Sequence, residues 1–234
     1  GETVAQECNI DRASMDAFAA RSQQRAATAW EKGWFDWETF DVEVPQRRGD
    51  PIILSNDEGV RAGTTAESLA GLRPVFDKNG AVTAGNASTL NDGASAVLIA
   101  EAEFAKAQGW EVLATIEDYC TSGVEPARVM SAPIPAVKML LERNELDVLD
   151  VDVYEHNEAF ASASCAVAQE IGIPDDRFNL HGGAVSLGHP LGASGTRCLI
   201  TMLGVMRRLE ANSGIVTLCL GGGNAVAMYV RRPS

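Results

Sequence analysis

The sequence is poor in positive charge. Its 19 Lys and Arg residues, only four of them lysine, are outnumbered by 32 Asp and Glu residues, which gives a net charge of −13 over 234 residues. Proteins that bind nucleic acid present a basic surface, so this composition argues against such a partner. Any site for a phosphate-bearing ligand needs its own local positive charge against this acidic background.

Long apolar runs and paired cysteine spacings are also missing. No run is long enough to span a bilayer, and the first residues lack the basic-then-apolar layout of a secretory signal, so we expect no membrane span. The absence of paired spacing argues against a zinc site or disulfide framework and favours a reducing, cytoplasmic setting. We expect neither a metal nor a bound cofactor. The cysteines are Cys8, Cys120, Cys165, Cys198 and Cys219.

The secondary-structure pattern of the sequence changes at about residue 75. In 1–75, Asp11 can cap a helix over 12–32, and Gly33 ends the helical pattern. The aromatic residues around Gly33 favour packing of a small helical subdomain, with an exposed binding patch as the alternative.

Residues 76–234 show alternating strand and helix patterns, which predict a layered α/β domain. The final pair of strands flanks a glycine-rich turn and reads as a hairpin. Helices are predicted over 101–108, 133–143 and 159–171, and strands over 94–100, 112–118, 148–154, 215–220 and 225–230.

A glycine-rich loop over 182–195 contains one histidine, His189, directly before Pro190. Proline restricts both its own φ and the conformation of the preceding residue, so the imidazole is expected to be held in one place. A helix-like run follows, and its first backbone N–H groups are available to an anion or oxyanion. The alternative is a purely structural turn.

Three more segments also place small residues beside polar or reactive side chains: 85–94, 156–161 and 219–224. With them, the chain resembles the C-terminal part of the thiolases, which make and cleave 3-ketoacyl-CoA. The motifs are a Gly-Asn-Ala-Ser segment, an Asn-Glu-Ala-Phe segment, a Gly-His-Pro loop and a Cys-x-Gly loop, in that order over about 140 residues. The resemblance implies a loop domain over 1–75 that covers coenzyme A, then a thiolase-like layered αβα C-terminal half over 76–234.

The chemistry of acyl transfer selects four candidate catalytic residues. His189 and Asn157 can hold a thioester or enolate oxygen, and the Gly221 N–H can serve a second oxyanion. Cys219 can act as acid or base if its pKa is lowered. The resemblance implies the same four roles. The alternatives are a helix cap for Asn157 and a buried, inert thiol for Cys219.

The resemblance also implies a set of substrate-binding residues. Arg61 would lie at the adenine and phosphate end of coenzyme A, a role that suits a fixed positive charge, although on its own it reads as an exposed loop cation. Thr89 stands where the family usually has glycine, and His181 weakly indicates short acyl chains. The remaining residues along the pantetheine and acyl channel are Phe76, Ala84, Ser88, Met130, Ala159 and Phe160.

No segment matches the one that carries the acylated cysteine of thiolases, and Cys8 lies in polar surroundings that do not suit this role. We therefore expect a complementary N-terminal chain to supply the nucleophile, in a split enzyme that assembles as a dimer or tetramer. Coenzyme A would be a substrate, and the chain alone would expose a large apolar face. The alternative is a non-catalytic thiolase-like module that binds acyl-CoA or transfers lipid.

Overall fold

The computed structural model describes residues 1–233, and it contains eight α-helices, six strands and three short 3₁₀ segments. None of the described helices is both long and apolar enough to cross a bilayer. The helices are α1 (Glu2–Glu7), α2 (Arg12–Glu31), α3 (Ala66–Ala70), α4 (Ala102–Ala107), α5 (Pro133–Arg143), α6 (Ala161–Ile171), α7 (Ala184–Leu187) and α8 (Ser194–Leu209). The strands are β1 (Val42–Val44), β2 (Ile52–Leu54), β3 (Thr115–Gly123), β4 (Val153–His156), β5 (Ser213–Leu220) and β6 (Asn224–Arg231).

Four strands form the main sheet in the order β3-β6-β5-β4. β5 and β6 are antiparallel, which confirms the predicted hairpin, and β3 pairs antiparallel with β6. β4 runs parallel to β5, with His156 opposite Thr217. Because neighbouring parallel strands end at the same edge, the residues after β4 and those at the end of β5 lie together.

The turn between β5 and β6 depends on its last two glycines. Gly222 and Gly223 have φ angles of 83° and 91°, values that favour glycine strongly. A Cβ on Gly223 would also collide with the backbone carbonyl of Val124. The turn geometry is therefore fixed by Gly223 and the segment after β3.

Two apolar cores lie on opposite faces of the main sheet. Met202 and Val205 of α8 fill one with Val153 of β4. The other face is covered by α5 and α6, and its core is continuous with the buried side of α1 and α2. Phe18 of α2, for example, lies 6.2 Å from the ring of Phe178. Residues 1–75 thus share a core with residues 76–234, although the boundary between these two regions stays a prediction.

Helix α2 matches the helix predicted over 12–32. Its N-cap is Asp11, whose carboxylate accepts a hydrogen bond of 2.8 Å from the Ser14 N–H. The aromatic residues after it pack inward, which confirms the packing interpretation. Trp34 stacks on His181 at 5.1 Å, and the Arg208 guanidinium lies 4.0 Å from the Trp34 ring centre.

The strand predicted over 94–100 is wrong. This segment has no regular structure, and Leu98 and Ile99 are 78% and 67% exposed. A strand needs a hydrogen-bonded neighbour, and none lies beside this segment among the described residues. Two other strands are shifted: β3 starts at Thr115 rather than at 112, and β4 starts at Val153 after a 3₁₀ segment, Val148–Asp150.

Histidine burial makes the fold sensitive to acid. His181 is fully buried and accepts a hydrogen bond of 3.0 Å from Arg208 Nε; burial and, secondarily, Arg208 lower the pKa of His181 to about 4. In the unfolded chain the imidazole gains a proton near its ordinary pKa of 6.5. A group whose folded pKa is lowered stabilises the fold above the unfolded pKa, and this contribution is lost as the pH falls towards 4.

We therefore predict that urea unfolding of the protein shows a loss of about 2 kcal/mol between about pH 7 and about pH 5 that is absent from a His181→Gln variant. The measurement is the difference in free energy of unfolding between the two proteins at each pH. Parallel pH profiles would contradict the assignment of this acid sensitivity to His181.

Candidate active site

The candidate site lies at the edge of the sheet where β4 and β5 end. Asn157 follows β4 directly, and its backbone N–H donates to the Thr217 carbonyl on β5 at 3.1 Å. Cys219 is the penultimate residue of β5. The parallel pairing of these two strands therefore brings Asn157 and Cys219 to one edge of the sheet.

His189 is fixed by contacts on three sides. Its backbone N–H donates to the Thr89 carbonyl at 2.9 Å, which ties the Gly-His-Pro loop to the Gly-Asn-Ala-Ser loop. Its Nδ1 lies 2.6 Å from Ser194 Oγ, and its Nε2 lies 3.3 Å from Asn157 Nδ2. The imidazole is thus oriented by α8 on one side and meets the Asn157 amide on the other.

The imidazole of His189 is electrically neutral at neutral pH. Burial and, secondarily, the positive charge of Arg197 lower its pKa. The Ser194 hydroxyl lies within reach of both His189 Nδ1 and the Pro190 carbonyl, at 2.6 and 3.0 Å. The Asn157 amide N–H₂ can only donate, so in the free chain Nε2 accepts from it, Nδ1–H donates to Ser194 Oγ and Ser194 donates to the Pro190 carbonyl. In the other tautomer Ser194 donates to Nδ1 and Nε2 carries the proton. In that tautomer Nε2 can donate to an oxygen placed beside Asn157.

Asn157 does not cap the following helix. The N-cap of α6 is Phe160, and no side chain caps it. The Asn157 side chain is fully buried and turns towards His189 and Cys198 instead. The cap alternative from the sequence is therefore wrong, because the helix starts two residues later than 159.

Cys219 is partly buried, and burial raises the pKa of its thiol. Its thiol lies 3.8 Å from the Met130 sulfur. Acid/base action by Cys219 was predicted only if the pKa of its thiol is lowered, whereas in the structure that pKa is raised. The thiol is therefore protonated at neutral pH and suits the role of a proton donor in this state.

Gly221 is exposed at the tip of the hairpin. A Cβ added there would meet no other described atom within 4 Å, so crowding within the chain does not require this glycine. The steric constraint falls on Gly223 instead, as described above. The N–H of Gly221 stays a predicted oxyanion donor.

The residue that sequence reasoning missed is Glu158. Its carboxylate is fully buried and accepts hydrogen bonds from Ser22 Oγ at 2.6 Å, from Asn179 Nδ2 at 2.8 Å and from the Val185 N–H at 3.1 Å. A Cβ on Gly183 would collide with this carboxylate, which explains one glycine of the loop. The available signal was a charged residue directly before the small and apolar residues 159–168.

Four of the predicted substrate-binding residues lie together. Ser88 donates from both its N–H and its hydroxyl to the Ala159 carbonyl, at 3.1 and 3.0 Å. Phe76 meets the edge of Phe160 at 6.2 Å between ring centres. Phe76 is largely exposed, so this aromatic pair lines an open surface beside Asn157.

The other three predicted residues are spread around that cluster. Met130 contacts Cys219, as noted, and Ala84 is exposed on the loop that leads to Ser88. Arg61 is exposed, and its backbone N–H donates to Gln23 Oε1 at 2.6 Å, which ties its loop to α2. Its guanidinium makes no hydrogen bond or ion pair to another described residue, and is therefore available to a ligand.

Comparison with known families decides the relationship. The model of the thiolase C-terminal domain matches residues 110–232, and that of the thiolase N-terminal domain matches residues 1–103. The chain belongs to the thiolase family. The layered α/β architecture is accordingly the thiolase fold.

Individual thiolases are similar along almost the whole chain. An acetyl-CoA acetyltransferase of Cupriavidus necator is 48% identical over 99% of this chain, which spans 59% of that relative. A probable acetyl-CoA acyltransferase of Staphylococcus epidermidis is 45% identical, with 58% of its length covered. The chain thus spans less than two thirds of the relatives it matches.

Solved structures give the same result. The crystal structure of the Bacillus anthracis acetyl-CoA acetyltransferase superimposes with a TM-score of 0.93 at 38% identity and covers 99% of this chain and 59% of its own. Human mitochondrial 3-ketoacyl-CoA thiolase in complex with CoA gives 0.93 at 37% identity, covering 99% of this chain and 57% of its own.

These matches correct the expected extent of the resemblance. It was expected to cover only a loop domain and a C-terminal half, whereas the model of the thiolase N-terminal domain matches residues 1–103. The comparisons also give no support to the requirement for a separate complementary chain.

A substitution of Glu158 tests directly whether its carboxylate holds the loop over 182–189 in place. In a Glu158→Gln variant an amide N–H₂ replaces one acceptor oxygen and faces the donors of Asn179, Ser22 or Val185. We predict a loss of about 1–3 kcal/mol in the free energy of unfolding, with faster amide hydrogen exchange over 182–189. Glu170→Gln, an exposed carboxylate on the neighbouring α6, is the matched control. Equal unfolding midpoints and exchange rates in the two variants would contradict the role of Glu158.

Proposed function

We propose that this chain catalyses acyl transfer to coenzyme A: thiolysis of a 3-ketoacyl-CoA and the reverse Claisen condensation of acetyl-CoA. The observation that carries the proposal is the convergence of a neutral imidazole and a buried amide, His189 Nε2 and Asn157 Nδ2, 3.3 Å apart at the edge that also holds Cys219. Two uncharged donors beside a thiol suit a reaction in which negative charge develops on a thioester oxygen.

In the thiolysis direction a thiolate nucleophile attacks the 3-keto carbonyl, and the bond between the carbonyl carbon and the α-carbon breaks. The electron pair of that bond passes into the enolate of acetyl-CoA. His189 Nε2–H and the Asn157 amide stabilise the enolate oxygen. Removal of one such donor typically lowers the rate by about 10²–10³-fold.

Cys219 completes the proton transfer. Its thiol gives its proton to the α-carbon of the enolate, and the resulting thiolate then takes the proton from the incoming CoA thiol, whose sulfur attacks the acyl thioester and releases the nucleophilic thiolate. In the condensation direction the same steps run in reverse, with the Cys219 thiolate as the base that removes the α-proton. The raised pKa of Cys219 in the free chain is consistent with the proton-donor half of this cycle.

A second thiol must hold the acyl group. Cys198 is the nearest to the site, with its Sγ 4.0 Å from Asn157 Oδ1, but it is fully buried and burial raises its pKa to about 12. We therefore place the nucleophilic cysteine in sequence outside 1–234, whether in the same polypeptide or in a complementary N-terminal chain. The Gly221 N–H would donate to the acyl-intermediate oxygen.

Coenzyme A would lie along the Ser88, Ala159 and Phe160 surface with its phosphates towards Arg61. The support is the aromatic pair of Phe76 and Phe160 beside Asn157 and the unpaired guanidinium of Arg61. No group of His, Cys, Asp and Glu in residues 1–233 is arranged to hold a metal ion, and none of the proposed steps uses one.

The working unit would be a dimer or tetramer in the cytoplasm, with a role in fatty acid metabolism. An exposed apolar stretch supports association with further protein. Its members include Leu98, Ile99, Phe104, Leu113 and Tyr119. Large apolar side chains left exposed in this number are consistent with a surface that further protein covers.

We predict that His189→Ala and Asn157→Ala each lower kcat for acetoacetyl-CoA thiolysis by about 10²–10³-fold, with a smaller change in KM, because both donors act on the developing oxyanion. The assay uses the purified full-length protein, and Cys165→Ala is the control thiol away from the sheet edge. Tight CoA binding without turnover in the wild-type protein would instead favour an acyl-CoA-binding or lipid-transfer module.

A second prediction concerns Arg61. Arg61→Ala should raise KM for CoA by about tenfold or more and leave kcat nearly unchanged, because the phosphate contact is made equally in the ground and transition states. Arg47→Ala, an exposed arginine of the same region, is the matched control. Equal KM values for the two variants would contradict the placement of the phosphates.

A further inference from the structure

Arg197 is a buried arginine that the reaction described above does not use. It lies in the first turn of α8, and its side chain is 18% exposed. Its Nη1 lies 3.2 Å from Oε1 of Glu155, a fully buried residue of β4. Removing two charges from water is unfavourable unless each finds a partner, so a pair in this place calls for an explanation.

The pair is linked to Asn157 by two routes, along the chain from Glu155 and through Cys198. Glu155 precedes Asn157 by two residues on β4, so its ion pair joins this end of the strand to α8. Arg197 Nη2 lies 3.0 Å from Cys198 Sγ, and Cys198 Sγ lies 4.0 Å from Asn157 Oδ1. Arg197 is thus one side chain removed from the amide that meets His189.

The charge of Arg197 also acts on His189. Two further carboxyl groups, Glu38 and Asp57, lie within range of its charge. Burial raises the pKa of Asp57, and it raises the pKa values of Glu38 and Glu155 to about 8. The guanidinium stays charged at all relevant pH values, and its charge adds to burial in lowering the pKa of the His189 imidazole.

We propose that Arg197, held by Glu155, is a positioning residue of the Asn157–His189 site. It holds the Asn157 amide against His189 Nε2 through Cys198 and the end of β4, and its fixed charge disfavours a second positive charge on that imidazole. The catalytic consequence rests on the proposed acyl transfer, whereas the effect on His189 does not.

The test uses three variants of the full-length protein. Arg197→Met combined with Glu155→Gln removes the charge without leaving an unpaired buried carboxylate. Arg197→Lys retains the charge but not the planar fork that reaches both Glu155 and Cys198. Glu155→Gln alone keeps the arginine and removes only its partner.

The primary readout is the titration of the imidazole resonances by NMR, which is tractable because the chain has three histidines. The side chains that contact His189 are Asn157, Asn91 and Ser194, none of which titrates near neutral pH, and the charge that acts on it is that of Arg197. We expect the His189 midpoint to rise by about one pH unit in the double variant and to stay near the wild-type value in Arg197→Lys. His156 and His181 report on folding, because burial lowers their pKa values to about 3 and about 4.

The second readout is acetoacetyl-CoA thiolysis. We expect kcat to fall by about 100-fold in both the double variant and Arg197→Lys, with KM for CoA changed by less than roughly threefold, because the amide is displaced while the CoA surface is intact. A structural role alone would move all three histidines towards their ordinary pKa values.

An unchanged His189 midpoint in a folded double variant overturns the proposal, as does wild-type kcat in Arg197→Lys. If the wild-type protein shows no thiolysis but the His189 midpoint rises as expected, the proposed acyl transfer fails and the action of Arg197 on His189 stands.

Discussion

The buried carboxylate of Glu158 is the contact on which the rest of the site depends. Its two oxygens accept hydrogen bonds from α2, from the segment after α6 and from the start of α7. Ser22 is far in sequence from Asn179 and Val185, so this one buried acceptor joins α2 to the segment 179–185. The carboxylate thereby fixes the loop that ends at His189, and it docks residues 1–75 against the α/β domain.

Burial sets the electrostatics of the whole region. It raises the pKa of Cys219 and lowers the pKa values of His189 and His181, so this thiol and these imidazoles are uncharged at neutral pH. Uncharged donors suit a site that must stabilise a transient oxyanion without binding a permanent anion in its place. Arg197 is charged, but it reaches Asn157 only through Cys198 and is not itself one of the donors.

The features that could be predicted from the sequence are those that depend on neighbouring residues. Asp11 and Gly33 bracket α2 because capping and chain reversal are decided by neighbouring residues, and the β5–β6 hairpin follows from alternation around a glycine turn. The segment 94–100 has a strand pattern without a partner strand, which the pattern alone does not reveal. Gly221 and Gly223 are indistinguishable in sequence, and only the approach of Val124 separates their roles.

The candidate site was only partly predictable for the same reason. His189, Asn157 and Cys219 stand in recognisable motifs, and the parallel pairing of β4 and β5 explains why two of them share an edge. The contacts that orient them join residues distant in sequence, such as Glu158 with Ser22 and Arg197 with Glu155. No periodicity or spacing marks such pairs, because they arise only when the two cores close around the sheet.

The most direct test of this account is a crystal structure of the full-length protein with acetyl-CoA bound. We predict the thioester oxygen within hydrogen-bond distance of both His189 Nε2 and the Asn157 amide or a water that it holds, with the phosphates at Arg61. A thioester oxygen that contacts neither group, or an imidazole turned away from Asn157, would contradict the central role given to this pair.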